Sequence, residues 1–321
     1  MTLPTIVTIG KATQDVFVQS SSVFKQQVHK GVTYEQLPVG QKLDLDNVIF
    51  ATGGNVTNAA VTFARQGLHS RYAWCLGDDI ASEAILSELD KEDVDTSHVA
   101  QNKRYRSSYS VILMLAGGER TILNYKGNMP SAHDHDLDLS VIESADWLYL
   151  SSLGDMELLE IIVSHAAQHG VKIMLNPAGV ELKEPEKLKA LLEDVEILAV
   201  NKEEAQKIVH GEALDELARH AHHYAPVVIV SDGPNGAVVT DGKTVVTAGM
   251  YEDVKVTDRT GGGDAFGSGF LSYYAQGKSL KESIIFASAN STSVVTKIGA
   301  KEGILHKGTV LHDMPIIEET F

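Results

Sequence analysis

Residues 258 to 270 read Asp-Arg-Thr-Gly-Gly-Gly-Asp-Ala-Phe-Gly-Ser-Gly-Phe, which puts the carboxylate of Asp264 directly after three glycines and at the first turn of an apolar-periodic helix. With no side chains in the way, the backbone NH groups of Gly261, Gly262 and Gly263 are expected to converge on an anion, and the helix N-terminus adds partial positive charge. An acid among anion-binding amides suits phosphoryl transfer, in which a base takes the proton of an acceptor hydroxyl while NH groups hold the moving group. The plain alternative is an acid that caps or charge-complements its own helix. For a Gly-Gly-Gly-Asp seen alone that alternative is the stronger, so the weight falls on partners elsewhere in the chain.

Four other constellations are candidates. Gly53-Gly-Asn-Val-Thr-Asn-Ala-Ala60 opens a helical pattern that ends near Gly67. Gly53 and Gly54 permit close approach of a ligand, and Asn55 and Asn58 both donate and accept, as hydroxyl groups do; a turn with an Asn cap is the alternative. Asp15 follows the first strand near the same sheet edge, where it either accepts from vicinal hydroxyls or lies solvated in a loop. Asn201-Lys-Glu-Glu204 has the spacing of a capping box, and the same amide and carboxylate suit Mg²⁺ held through its waters. Ser231-Asp-Gly-Pro-Asn-Gly236 reads as a tight turn whose Gly233 and Gly236 leave space for a nucleotide beside the backbone.

Positioning these groups falls to short apolar runs alternating with helical patterns. Residues 5–9, 71–76, 147–150, 172–175, 197–200 and 227–230 are the expected strands, giving a layered α/β domain with a largely parallel sheet and its chemistry beyond the strands' carboxyl ends. Residues 15–52 and 104–126 break the alternation. In the second, runs 108–115 and 120–125 flank Ala116-Gly-Gly-Glu119 and predict a hairpin. Both stretches are assigned to a small β appendage over the strand ends, a lid or a dimer surface, within one domain spanning 1–321. The segment from Lys307 onward carries no clear signal.

Composition narrows the classes. In 321 residues, 43 acidic against 27 basic side chains give a formal charge of -16, which opposes nucleic acid and anionic membrane surfaces as partners. An anionic ligand must then be held locally. The single cysteine, Cys75, sits in an apolar run and reads as inert packing, and its being alone fits a reducing cytoplasm. The amino terminus shows no signal-peptide pattern, and no run is long enough to span a bilayer. His133-Asp-His-Asp136 and His220-Ala-His-His223 read as solvated, with no metal ligand assigned to them. No Gly-x-Gly-x-x-Gly follows the first strand, which argues against a dinucleotide-dependent oxidoreductase.

Taken together the motifs resemble the PfkB, or ribokinase-like, family of carbohydrate and nucleoside kinases over nearly the whole chain. The carboxyl-terminal signature, residues 258–271, agrees at Gly-Gly-Gly-Asp264, Ser268 and Gly269; the amino-terminal one agrees at Gly53, Gly54, Asn58, Ala60, Gly67 and Gly77; Asn201 and Glu204 match the family's Asn-x-x-Glu element. The resemblance implies a three-layer α/β/α core with a small β-sheet lid, and an ATP-dependent kinase. In it Asp264 is the general base, the Gly261–Asp264 backbone the anion hole, and Asp15, Gly53, Gly54, Asn55 and Asn58 the sugar site. ATP lies across Ser231, Gly233, Gly236 and the helix 281–297, with Mg²⁺ near Asn201 and Glu204. Some members also bind a monovalent cation such as K⁺, at positions similar to Asp258, Thr260 and Gly299 here.

Departures are Arg259 and Val56 where small residues are usual, Ser82 for a glycine, and Asn55 for the lysine of several phosphosugar kinases, which points toward a neutral acceptor. Asn176 resembles the asparagine of the family's Asp-x-Asn element. The acceptor is expected to be a neutral furanose-type sugar, with a nucleoside as the alternative, for which Phe17, Phe24 or Tyr109 would wall the base. A sugar-binding regulator without catalysis is the reading from another class. A homodimer through the β lid is a further expectation.

Overall fold

The structure, a computed structural model, describes residues 3–115, 120–128, 130, 131 and 136–321. Runs such as Thr5–Ile9, Trp147–Ser151 and Val227–Ser231 are buried at nearly every position, as strands covered on both faces must be. They belong to a nine-stranded sheet. Its parallel part is, in spatial order, β14 (Val227–Ser231), β13 (Ile197–Asn201), β12 (Lys172–Asn176), β11 (Trp147–Ser151), β1 (Thr5–Ile9) and β6 (His69–Ala73). Three antiparallel strands, β15 (Ala237–Thr240), β16 (Thr244–Ala248) and β17 (Ile316–Thr320), extend it beyond β14.

The winding fixes where a ligand fits. From β1 the chain passes outward through α1 (Asn55–Arg65) to β6, then returns to β11 on the other side of β1 and winds away through α4 (Met156–Gln168), α5 (Pro185–Leu191), α6 (Lys202–Ile208) and α7 (Leu214–Ala221). Right-handed crossovers in opposite directions put these two sets of helices on opposite faces and open a crevice at the carboxyl ends of β1 and β11. The chain then supplies α8 (Gly262–Tyr274) and α9 (Leu280–Val295), which pack on each other, α8 also on α1 and α9 also on β15 and β16. Two connecting helices, α2 (Ile80–Lys91) and α3 (Ser140–Glu143), complete the set.

A second sheet carries β10 (Arg120–Tyr125), β9 (Ser108–Met114), β2 (Thr13–Gln19) and β5 (Asn47–Gly53) in that order. Strand alternation sends Phe17, Ile112, Met114, Ile49 and Ala51 to the face that packs on Ile298, and Val16, Val18, Leu113 and Tyr109 to the other, where Phe24 packs on them. The expected turn 116–119 lies outside the described residues. Within 15–52 the chain also forms a separate, exposed hairpin, β3 (Lys25–His29) with β4 (Val32–Gln36).

Two expectations change. The single strand 71–76 is broken at Trp74: β6 ends at Ala73, the Trp74 carbonyl accepts from Ala100 NH at 2.9 Å, and β7 (Cys75–Leu76) leaves to pair with β8 (Ala100–Gln101). Sequence after Lys307 supplies an edge strand, β17, whose exposed Ile-Ile-Glu-Glu-Thr lacks the apolar run of its neighbours. No helix among the described residues is long and apolar enough to cross a membrane.

Candidate active site

Gly261, at φ 77°, is the left-handed residue that turns the chain into α8, and an added Cβ there would overlap Ala300. The next two amides differ in use. Gly262 NH reaches back to the Arg259 carbonyl at 3.4 Å, a long turn contact, whereas the amides of Gly263 and Asp264 meet no acceptor among the described residues. Beside Gly263 an added Cβ would enter open space. Within the 261–264 stretch expected to hold an anion, the open amides are therefore those of Gly263 and Asp264.

Asp264, third residue of α8, is half-buried, and its Oδ2 accepts from Asn58 Nδ2 at 2.8 Å. Burial raises its pKa above the usual carboxylate range, against the lowering effects of the Asn58 bond and of Lys301. Asn58 comes from α1 and is 3% exposed; its Oδ1 is buried with no hydrogen-bond partner, an acceptor left open next to the carboxylate. Asn290, wholly buried in α9, donates to the Ala265 carbonyl at 2.8 Å and accepts from Leu305 NH at 2.9 Å, so it holds the first turn of α8 against the following loop.

Asp15 and Gly53 meet across the paired strands β2 and β5: an added Cβ on Gly53 would overlap Asp15 Oδ2. Gly53 is thus small for a protein group, where close approach of a ligand was expected; Gly54, at φ 106°, is equally close to the Lys11 carbonyl. Asp15 is 6% exposed, and burial pushes its pKa up to about 6 despite the hydroxyls of Ser110 and Thr13 and the charge of Lys301. A solvated loop position is excluded. Asn55, at the start of α1, donates to Ser151 Oγ at 3.0 Å, Ser151 donates to Asn176 Oδ1 at 3.0 Å, and Asn176 donates to the Ala199 carbonyl at 2.7 Å, a relay across the carboxyl ends of β11, β12 and β13.

Two charged residues escaped the sequence reading. Lys301 is 4% exposed, and its ammonium donates to the Thr52 carbonyl at 2.9 Å and to Thr52 Oγ1 at 2.6 Å. Burial lowers its pKa, while the charges of Glu88, Asp15, Glu92 and Asp264 hold it up. Arg120, on β10 of the small sheet, brings Nε to 3.7 Å from Asp258 Oδ1. Asp258, with a fully buried side chain, also accepts from Thr260 NH at 3.0 Å, Thr260 Oγ1 at 2.7 Å and Gly299 NH at 3.1 Å. These residues do not fit the expected monovalent cation: both carboxylate oxygens are engaged, and a guanidinium already stands against the charge. Arg259 itself is exposed, and nothing in the structure explains its side chain.

Asn201 and Glu204 form a reciprocal capping box, Asn201 Oδ1 accepting from Glu204 NH and Glu204 Oε2 from Asn201 NH, each at 2.9 Å. Glu204 Oε1 stays outside the box, and burial raises the carboxyl's pKa. This hard-oxygen donor set, partly exposed at the end of β13, fits Mg²⁺ held through water. The turn after β14 is a 3₁₀ segment at Gly233–Asn235 closed by Asp232 NH on the Gly236 carbonyl at 2.8 Å. Gly236, at φ 96°, lies where an added Cβ would overlap the Ala248 carbonyl, and Gly233 faces open space. The expected helix 281–297 runs Leu280–Val295 and is capped by a Ser279/Glu282 box. His220, at the end of α7, bonds the His210 carbonyl at 2.6 Å, whereas 133–135 lie outside the described residues.

Ser82 fills the place of the expected glycine with a purpose: its buried hydroxyl donates to the Gly77 carbonyl at 2.5 Å and lies 2.7 Å from Ser107 Oγ.

Comparison with known proteins gives the family and the fold. Residues 27–307 match the model of the pfkB family of carbohydrate kinases, and the chain belongs to that family. It is similar to a ribokinase of Haemophilus influenzae, 28% identical over 278 residues that cover 83% of this chain and 88% of the other. A cytidine kinase of Thermococcus kodakarensis is also 28% identical, over 78% of this chain and 88% of that one. Among solved structures, a ribokinase of Arabidopsis thaliana complexed with ribose and ATP superposes with a TM-score of 0.77 at 20% identity, covering 95% of this chain and 96% of that one, which shows the shared fold.

Proposed function

We propose that this member of the pfkB family transfers the γ-phosphoryl group of ATP to a hydroxymethyl group of a neutral, furanose-type sugar, with Asp264 as general base and the Gly261–Asp264 backbone as anion hole. One observation carries the reading: the Asp264 carboxylate stands next to unmatched amides of its own first helical turn and next to the open Oδ1 of Asn58. A helix cap explains none of these open groups. Burial makes Asp264 a stronger base than a solvated carboxylate, and Asn58, holding Oδ2, leaves Oδ1 for the proton of the attacking hydroxyl. As the hydroxyl oxygen attacks, the amides of Gly263 and Asp264 take up the charge of the transferring group.

In this reading Asp15, Asn55 and Asn58 hold the remaining sugar hydroxyls, and Gly53 and Gly54 let the β5–α1 turn close down on Asp15 and Lys11. ATP lies over Ser231, Gly233, Gly236 and α9. Mg²⁺ beside Glu204 and Asn201 would neutralise phosphate charge when bound. The chain acts as one domain, 1–321, with the stretches 15–52 and 104–126 as a lid. Arg120 takes over the charge of a monovalent cation at Asp258. We place the enzyme in the cytoplasm as a homodimer joined through the outer face of the small sheet, where Val48, Phe50, Leu123 and Tyr125 are exposed.

A nucleoside acceptor has the support of the cytidine kinase likeness, but the aromatic wall it would use is elsewhere. Phe17 is fully buried against Ile298, and Phe24 and Tyr109 pack with Val16 and Val18 on the opposite face of the lid. The deciding experiment is a panel of sugars and nucleosides with ATP and Mg²⁺, read by ADP formation. A neutral pentose or hexose with the highest kcat/KM supports the proposal. Preference for a nucleoside, or tight sugar binding without ADP, overturns it.

A further inference from the structure

At the amino ends of the parallel strands, the edge away from the glycine cradle, α3 ends at Glu143 just before β11, and α4 returns from the far edge to end at Gln168. His165 lies in the last turn of α4 and His169 is its C-cap, four residues on, so their rings share one helix face with centroids 4.5 Å apart. Glu143 Oε1 is 3.6 Å from His165 Nε2 and 3.8 Å from His169 Nε2. All three ligand atoms lie within 4.8 Å of one another.

The protonation pattern gives this cluster its direction. His169 Nδ1 lies 2.9 Å from the His165 carbonyl, which only accepts, so Nδ1 carries a proton and Nε2 is the nitrogen that faces Glu143. His165 Nε2 is buried with no hydrogen-bond partner. Buried imidazole nitrogens are ordinarily matched, so an orphan that converges with a second imidazole nitrogen and a carboxylate oxygen points to a missing cation. Bonds of about 2.0–2.2 Å to a tetrahedral ion set ligand atoms roughly 3.3–3.6 Å apart, so the observed spacing needs small side-chain movements only. The Nδ1 bond of His169 is the outer hydrogen bond that metal-ligating imidazoles make.

We propose that Glu143, His165 and His169 form a site for a divalent transition-metal ion of the zinc class, tying α3 to the end of α4 and standing apart from the phosphoryl-transfer chemistry. Two imidazoles and one carboxylate suit zinc, nickel or copper, and exclude magnesium as the preferred ion.

The test is zinc chloride titrated into the intact protein at pH 7.5, by calorimetry and by melting temperature, beside His165→Ala, His169→Ala and Glu143→Gln. These residues are on or near the surface, and circular dichroism checks that each variant folds. The expected result is one ion per chain, a rise in melting temperature with zinc but not with magnesium, and at least tenfold weaker binding with no rise in either histidine variant. Glu143→Gln should keep part of the affinity. Absence of zinc binding to the intact chain, or affinity in His165→Ala and His169→Ala equal to that of the intact chain, overturns the proposal.

Discussion

Asn58 on α1 and Asp264 on α8, 206 residues apart, are joined by a hydrogen bond of 2.8 Å from Nδ2 to Oδ2. The pairing orients the carboxylate and reserves one oxygen, so only the other can take a proton from an acceptor. Asp264→Asn should lower kcat by roughly a hundred- to ten-thousand-fold, the range for a positioned base, while sugar affinity stays within a few-fold. Steady-state kinetics with a calorimetric Kd checks both, and near-normal turnover would remove Asp264 from the base role.

Asp15 sets stability against binding. Its pKa is raised from 3.8 to about 6, so the folded state binds the proton more tightly than the unfolded chain. Stability from this group is full below the unfolded pKa and is lost as pH rises through the folded one, a cost on the order of 3 kcal/mol at neutral pH. Asp15→Asn should therefore melt higher than the parent at pH 7, with the gap roughly halved at pH 5 and closing only as pH falls below the unfolded value of 3.8, and should lose sugar affinity. Denaturant unfolding at both pH values measures the gap; a gap that does not change with pH contradicts the assignment.

Gly263 and Gly261 should fail in different ways when changed to alanine. Gly263→Ala meets open space and improves helix propensity, so it should fold as well as the parent, within about 1 kcal/mol, yet lose turnover because the methyl enters the phosphoryl's place. Gly261→Ala combines a left-handed φ with overlap against Ala300 and should lose stability first. Melting temperatures read beside kcat separate the two.

Arg120 predicts an enzyme indifferent to monovalent cations. Activity in potassium chloride and in tetramethylammonium chloride should match. Arg120→Ala leaves the buried Asp258 with its Thr260 and Gly299 donors but no cation beside it, which should cost about 1–3 kcal/mol of stability and make both stability and turnover respond to potassium. Strong potassium activation of the unaltered chain would refute the exchange.

Lys301 supplies positive charge behind Asp15 and Asp264. Replacing it by methionine should raise the acid limb of the kcat/KM profile by about one pH unit, since losing a nearby cation raises carboxylate pKa values. An unshifted limb with normal folding would make Lys301 purely a packing residue.

The family, the α/β class and the buried strands were legible because they depend on local pattern: continuous apolar runs for β1, β11 and β14, and glycines before an acid at the head of α8. Strand β17 was not, because at an exposed edge Glu318 and Glu319 replace the apolar signal. Neither were the roles of Lys301 and Arg120. Lys301 bonds to Thr52, 249 residues away, and Arg120 meets Asp258 only once the small sheet is folded over the loop before α8, so no spacing in the sequence marks either contact. Asn201 and Glu204 illustrate the opposite limit: the capping box and a magnesium site share one spacing, and the structure holds the box while leaving an oxygen to spare.

The small sheet is fastened unequally. On one side the buried Lys301 pins Thr52 of β5 to the core through two bonds; on the other, β10, beyond its pairing with β9, meets the loop before α8 at Arg120 by a single ion pair without a hydrogen bond. If this sheet is the lid of the proposed function, its anchoring makes β5 the hinge and β10 the latch, with the guanidinium as what the latch closes on. Opening for substrate entry would then withdraw a positive charge from beside the glycine turn, so the pocket's electrostatic potential would change in step with its access to solvent.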